Sequence, residues 1–302
     1  MDKIGLVTVT YNSEEVLSSF LNDIWKQSFT NFVLYVVDNA SIDTTLSLLE
    51  KEQEARLVVI KNKNNFGVAK ANNQGIKNAI GDGCNQILFL NNDVEFEKEM
   101  IEQLLKVQRE KKCSIVTPKM MYSDNPEYIW YAGSWFIKSK GYLPLHRGMM
   151  QKDKGQFDEI TEVEYAPTCC LLVKKEVFDD IGFMDEKYFV YFDDTDFSYR
   201  IFKNGKHKMY YVPNSKVYHK VGSLTKSFTK DKEQLFRGHF FLKQTIRNHV
   251  YFLKKIGGLF AYIFIFWLFF KNNIRFIINR NIRKDFATFW LINKSYFQGL
   301  FL

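Results

Sequence analysis

Cysteine is scarce in this chain, with four in 302 residues: Cys84, Cys113, Cys169 and Cys170. No two are spaced as CxxC, which argues against a disulfide framework or a zinc site and for reduced core thiols in the cytosol. An apolar leader is missing too. The opening MDKIGLVTVTYN is too short in its apolar run, and too strand-like, for a signal peptide. There is no GxGxxG and no GK[ST] ending, so neither a dinucleotide-binding turn nor a phosphate loop is supported. No internal repeat or low-complexity tract is found. Acidic residues nearly vanish at one end. Residues 226–302 hold 14 Lys or Arg against three Asp or Glu, so this tail stands at +11 and the rest of a +8 chain at −3.

What the chain does have is apolar material. Hydrophobic residues are 46% and charged residues 25%, a balance that fills a core and does not suit disorder. Over the first 120 residues two periods alternate. Strands are expected at 4–10, 32–37, 57–60, 87–90 and from 115–117. Between them, helices are expected after Ser13 as N-cap, after Asp43 or Thr44, over 68–79 and over 97–109. The near-continuous apolar runs FVLYVV and QILFL fit strands buried on both sides. The alternation predicts an α/β fold with a mostly parallel central sheet, whose ligands bind at the carboxyl ends of the strands. Residues 122–165 are less regular and are expected as loops and strands at the far side of the sheet.

The composition shifts near 226, which divides the chain into a 1–225 domain and a basic, aromatic, helical 226–302 extension. Within the extension, IGGLFAYIFIFWLFF at 256–270 carries no charge. Fifteen residues at ~1.5 Å each reach ~22 Å, short of the ~30 Å of a hydrocarbon core. A segment lying in the membrane interface is expected; a full span and a buried soluble helix are the alternatives. The surrounding Lys254, Lys255, Lys271, Arg275, Arg280, Arg283 and Lys284 suit an anionic membrane surface. So apolar a run does not suit nucleic acid. If no membrane is bound, the tail is a packing or homodimer element.

Polar clusters punctuate the strand ends. TYN, DNAS and NND follow strands one, two and four. Each has a structural reading beside a functional one. Tyr11 is a base-stacking ring or a half-exposed loop residue. Asp38 accepts from the imide N–H of uracil or thymine, or caps a helix. Gly67 permits a turn after Asn65, so Lys70, Asn72 and Asn73 lie at a helix start that can face ribose or phosphate, or tie neighbouring loops. YFDDTDF places Asp193, Asp194 and Asp196 together. They form a solvated turn or, given the aromatic flanks, a partly buried group that raises its own pKa values.

Six segments, VTVTYNSEE, VVDNASIDTT, NKNNFGVAKANNQGI, LFLNNDVEF, YFDDTDFSYRIFKNG and VYHKVGS, stand in the order seen in glycosyltransferase family 2. Over about residues 3–225 the chain resembles that family, and most of all its rhamnosyltransferase-like members that build surface polysaccharides. The resemblance implies a GT-A type nucleotide-sugar-binding domain. It assigns Asp38 to the base, with Thr10, Tyr11, Asn12, Asn65, Gly67, Lys70, Asn72 and Asn73 around the nucleotide of a dTDP- or UDP-linked donor. It makes Asp93 a ligand of Mg²⁺ or Mn²⁺, with His219 as a second. Asn91 departs from the family's Asp-x-Asp pattern, and Asn91 or Asn92 is left to touch ribose. It makes Asp194 the general base, with Asp193 where a Glu is usual, and Pro167 and Thr168 liners of the acceptor side. No QxxRW motif is found, so one sugar per encounter is expected.

The expected function is inverting, metal-dependent, non-processive sugar transfer to a lipid-linked or polysaccharide acceptor. The expected place is the cytoplasm, peripheral on the inner face of the cell membrane. A nucleotidyltransferase would carry a Gly-rich basic loop where this chain has TYNSEE. A non-catalytic sugar-nucleotide binder would have lost Asp93 or Asp194, and both are present.

Overall fold

A computed structural model describes residues 2–220, 238–278 and 284–302. Strands β1 (Ile4–Thr10), β2 (Phe32–Asp38), β3 (Leu57–Lys61) and β4 (Gln86–Leu90) alternate with helices α1 (Glu14–Trp25), α2 (Thr45–Lys51) and α3 (Val68–Gly81). There follow β5 (Val94–Phe96), α4 (Met100–Glu110), β6 (Ile115–Tyr122), β7 (Ile129–Tyr131), β8 (Phe136–Ile137), β9 (Leu143–Pro144), β10 (Thr161–Val163) and β11 (Cys170–Lys174). Next come α5 (Lys175–Ile181), α6 (Asp193–Asn204) and β12 (Met209–His219). The main sheet runs β10-β12-β6-β11-β4-β1-β2-β3. Its pairs β1–β2, β1–β4, β2–β3 and β6–β12 are parallel, while β11 lies antiparallel between β4 and β6. The expected mixed α/β fold with a mostly parallel sheet is present. β4 is buried along its whole length, as its near-continuous apolar sequence requires, with the polar Gln86 paired to Gln108.

Local details differ from the sequence reading for identifiable reasons. The helix expected from 97 starts at Met100, because residues 94–96 are taken into β5, which pairs antiparallel with the end of β12. Ser13 stands at the N-cap position of α1 without capping it. Its hydroxyl accepts instead from the Tyr11 N–H and the Asn92 side chain. Asp43 serves two helix starts at once, accepting from the N–H of Thr45 (3.0 Å) and of Glu14 (3.1 Å).

The tail is helical: α7 (His239–Ile256), α8 (Gly258–Ile278) and α9 (Phe286–Phe301). The apolar segment at 256–270 is not one helix. Gly257 and Gly258 both have positive φ (69° and 81°) and break it. Beyond the break α8 is 21 residues long, about 32 Å. By length and composition alone it can cross a membrane. One side, with Ala261, Phe264, Ile265 and Leu268, packs against Val250 and Leu253 of α7 and Tyr296 of α9. The other leaves Tyr262, Phe266, Trp267 and Phe270 exposed. The charged run 226–233, Arg280 and Arg283 lie outside the described residues.

α7 is joined to the sheet domain. Lys255 reaches Asp185 (2.6 Å) and Asp196 (2.5 Å), and Tyr251 and Phe252 cluster with Tyr188 and Tyr199.

Gly67, just before α3, fixes a further junction. Its φ is +84°, and a Cβ there would collide with the backbone of Phe189, whose carbonyl accepts from the Val68 N–H (2.7 Å). Gly67→Ala is expected to lower unfolding free energy by about 1–3 kcal/mol in urea titration. An unchanged midpoint would show that the junction yields without cost.

Candidate active site

A cavity of about 600 Å³ opens where β1, β4 and β11 meet the start of α6. Its wall includes Tyr11, Asn39, Asn65, Gly67, Asn72, Asn91, Asp93, Pro167, Thr168, Asp193, Asp194 and His219. Most of the polar groups singled out from the sequence therefore face one space. Asp93 extends from the β4 end, and Asp193 and Asp194 begin α6.

Six expected site residues are not on this wall. Asp38 is fully buried and accepts from the Thr10 hydroxyl (2.9 Å), the Ser41 N–H (3.0 Å) and the Ser41 hydroxyl (2.5 Å). Its carboxylate folds the β2 loop, and its neighbour Asn39 faces the cavity. Thr10 is spent on Asp38. Asn12 has φ 52° and accepts from the Ile42 N–H (2.9 Å), tying the loops after β1 and β2. Lys70 lies over the Phe66 ring, 4.3 Å from its centroid. Asn73 bridges to Met184 and Glu186. Asn92 donates to Val9 O (3.1 Å) and Ser13 Oγ (2.9 Å), holding the ends of β1 and β4 together.

Asp93 and His219 are nearly buried, with His219 Nε2 3.3 Å from Asp93 Oδ1. Backbone pairing sets this approach: His219 lies opposite Val94 across β12 and β5, and Lys220 N–H donates to Asp93 O (2.9 Å). Among the described residues no group of three or more His, Cys, Asp or Glu gathers to hold a metal ion. The two-residue set still fits a cation shared with phosphate. Adjacent ligands at ~2.1 Å from an octahedral ion stand ~3 Å apart, and Mg²⁺ keeps several non-protein ligands. The buried His219 Nδ1 has no hydrogen-bond partner among the described residues.

A belt of rings, missed in the sequence, joins this pair to the acids of α6. Trp130 packs edge-on to both His219 (4.6 Å between centroids) and His146 (4.8 Å). His146 stacks on Tyr165 (5.9 Å), and the Tyr165 hydroxyl donates to Asp194 Oδ2 (2.7 Å). Burial, with His219 nearby, pushes His146 down to about 4, so its ring is neutral at pH 7. Tyr165 lies two residues before Pro167, already read as an acceptor-side liner, and a buried phenol needs a partner. Cys169 lines the cavity, but burial raises its thiol pKa well above the usual value, which fits a wall and not a nucleophile.

The family model described as Glycosyl transferase family 2 matches residues 6–182. The chain belongs to glycosyl transferase family 2. Over 220 residues it is 28% identical to the dTDP-rhamnosyl transferase RfbF of Shigella flexneri, covering 72% of this chain and 69% of that one. It is 27% identical over 201 residues to the low-salt glycan biosynthesis hexosyltransferase of Haloferax volcanii, covering 66% of this chain and 62% of that protein. In fold it is similar to Staphylococcus aureus TarS 1–349 solved with UDP-GlcNAc. The TM-score is 0.61 at 18% identity, covering 98% of this chain and 81% of that one.

For a member of this family the state of the acids is decisive. Burial raises the proton affinity of both Asp193 and Asp194 above the ordinary carboxylate range, and for Asp193 the charge of Asp194 adds to it. For Asp194 the Tyr165 hydroxyl and the Thr195 N–H (2.6 Å) pull the other way. With Asp194 as the expected base, which must be ionised, kcat/KM should fall on acidification at a pH above the ordinary carboxylate range. Tyr165→Phe removes a donor that favours the anion, so it should move that acid limb to higher pH. A limb that stays put or moves down would contradict this.

Proposed function

We propose that this chain transfers a sugar from a nucleotide-sugar donor to a glycan or lipid-linked acceptor in cell-surface glycan synthesis, inverting the anomeric carbon. The observation that carries the reading is that Asp93 with His219, and Asp193 with Asp194, face the same cavity. Rhamnose from a dTDP-linked donor is the first choice, supported by the dTDP-rhamnosyl transferase of Shigella flexneri; a UDP-linked sugar is supported by TarS with UDP-GlcNAc.

Asp93 and His219 are the residues to hold Mg²⁺ or Mn²⁺, an ion that would offset the charge growing on the departing nucleoside diphosphate. A mannosyltransferase of Pyrobaculum calidifontis, similar in fold, was solved with GDP-Man and Mn²⁺. Asp194 accepts the proton of the acceptor hydroxyl as its oxygen bonds to the anomeric carbon. The bond from that carbon to the diphosphate breaks, and its electron pair leaves with the diphosphate. One such displacement inverts the centre.

Asp93→Asn and Asp194→Asn should each lower nucleoside diphosphate release by about 10²–10⁴-fold with the melting temperature retained. Wild-type rates in either variant would reject that residue's role. Among dTDP-, UDP- and GDP-sugars with Mn²⁺, dTDP-rhamnose should raise the melting temperature most. A larger rise with a UDP-sugar would replace the donor assignment.

The tail reading is a peripheral membrane contact at the inner leaflet, made by the exposed rings of α8 and α9 with Lys254, Lys271 and Arg275 nearby. The full chain should sediment with vesicles containing anionic lipid, and Phe266→Glu with Trp267→Glu should release it. Sedimentation of wild type at dimer mass without vesicle binding would make the tail a homodimer element.

A further inference from the structure

Arg247, Asn248 and His249 lie in α7, beyond the end of the family match. All three grip the segments around the start of α6. Asn248 has no exposed surface, and its Nδ2 donates to the carbonyls of Val190 (2.9 Å) and Tyr191 (2.8 Å). Its Oδ1 accepts from Arg247 Nε (2.8 Å), so the orientation of the amide is fixed from both ends. The Arg247 guanidinium also donates to Lys187 O (3.1 Å). His249 stacks on Phe192 at 5.3 Å and bonds Gly141 O (2.9 Å).

The gripped turn is unusual. Tyr191 and Phe192 have φ of 65° and 69°, two successive non-glycine residues in the left-handed region. Such residues persist there only when their surroundings hold them. Phe192 O then accepts from Asp196 N–H (2.8 Å), so the turn is continuous with the first turn of α6. Asp193 and Asp194 are its next two residues, and their direction follows from it.

We propose that Asn248 is a positioning residue for sugar transfer: by holding the Val190 and Tyr191 carbonyls it locks the left-handed turn and aims Asp194 at the acceptor hydroxyl. This rests on the reading of Asp194 as the base. Without the amide donors the two part-buried carbonyls lose these hydrogen bonds and the turn relaxes toward negative φ. The start of α6 then rotates. Donor-side groups on β1 and β4 lie outside that movement; α3 meets the segment through the Val68 N–H on Phe189 O, one residue before Val190.

The test compares Asn248→Ala and the near-isosteric Asn248→Leu in the full chain, with Asp194→Asn and Leu253→Ala in parallel. Leu253 is on the same helix but packs toward α8 and α9. Both Asn248 variants should lose kcat by about 10- to 100-fold, with donor KM within about twofold, since small misplacements cost that much. Leu253→Ala should keep kcat even where its melting temperature falls as far. Wild-type kcat in either Asn248 variant, with Asp194→Asn inactive, overturns the positioning role and leaves the base intact. An active Asp194→Asn overturns the base reading itself. Equal losses of kcat in Leu253→Ala, or loss of donor binding together with kcat in both Asn248 variants, makes Asn248 a packing residue and also overturns the proposal.

Discussion

The pairing of β5 with the last three residues of β12 is the contact on which the site depends. β12 runs parallel to β6 as far as Val212, then its register shifts before resuming at Lys216. Pro213 lies in that interval, where a missing N–H interrupts the ladder at little cost. After the shift, the strand has β6 on one side and β5 on the other. Because β5 begins one residue after Asp93, the final residue of β12 is delivered beside that carboxylate. Two residues far apart in the chain are thus brought together by backbone hydrogen bonds, and their side-chain atoms stand 3.3 Å apart.

The acids of α6 show a second constraint, the separation of an ion-paired carboxylate from one held by neutral donors. All three lie in the first turn of the helix. Asp196 receives cations, Arg200 at 2.8 Å and Lys255 at 2.5 Å, and serves as the anchor of α7. Asp194 receives neutral donors, a phenol and a backbone N–H. A cation at that place would depress its proton affinity and make it a poor base. Neutral donors orient the carboxylate while burial keeps its affinity for a proton high. The one arrangement stabilises the fold and the other suits proton transfer.

The sequence made the frame legible where a single period governed each segment. β1 to β4 and the helices between them bury continuous or periodic apolar runs, and their ends carry polar residues that face the cavity. It was less informative where a side chain has two competing partners. Asp38, Asn73 and Asn92 have the chemistry of ligands, yet Asn73 and Asn92 are held by residues remote in sequence, and Asp38 by Thr10 together with the local Ser41. β5 was hidden because three residues have no period, and its pairing is with a strand near residue 217. The ring belt of Trp130, His146 and Tyr165 lies in or beside the stretch with least regular sequence, and only the fold brings the three together.

Composition placed a boundary near residue 226, and across it α7 packs onto the sheet domain and lines the cavity. Phe241 and Thr245 line the cavity, and Asn248, Tyr251 and Lys255 hold the segments that present the acids. The opposite face of the same helix, through Val250 and Leu253, supports α8 and α9. Large exposed side chains on those two helices, including Tyr262, Phe266, Trp267 and Trp290, are too concentrated for scattered surface hydrophobics. A helix with both faces committed cannot shift toward one partner without drawing on the other, because packed cores move between discrete arrangements and do not deform smoothly. The exposed rings of α8 and α9 thus sit on helices packed against the far face of the helix whose near face holds the turn before Asp193.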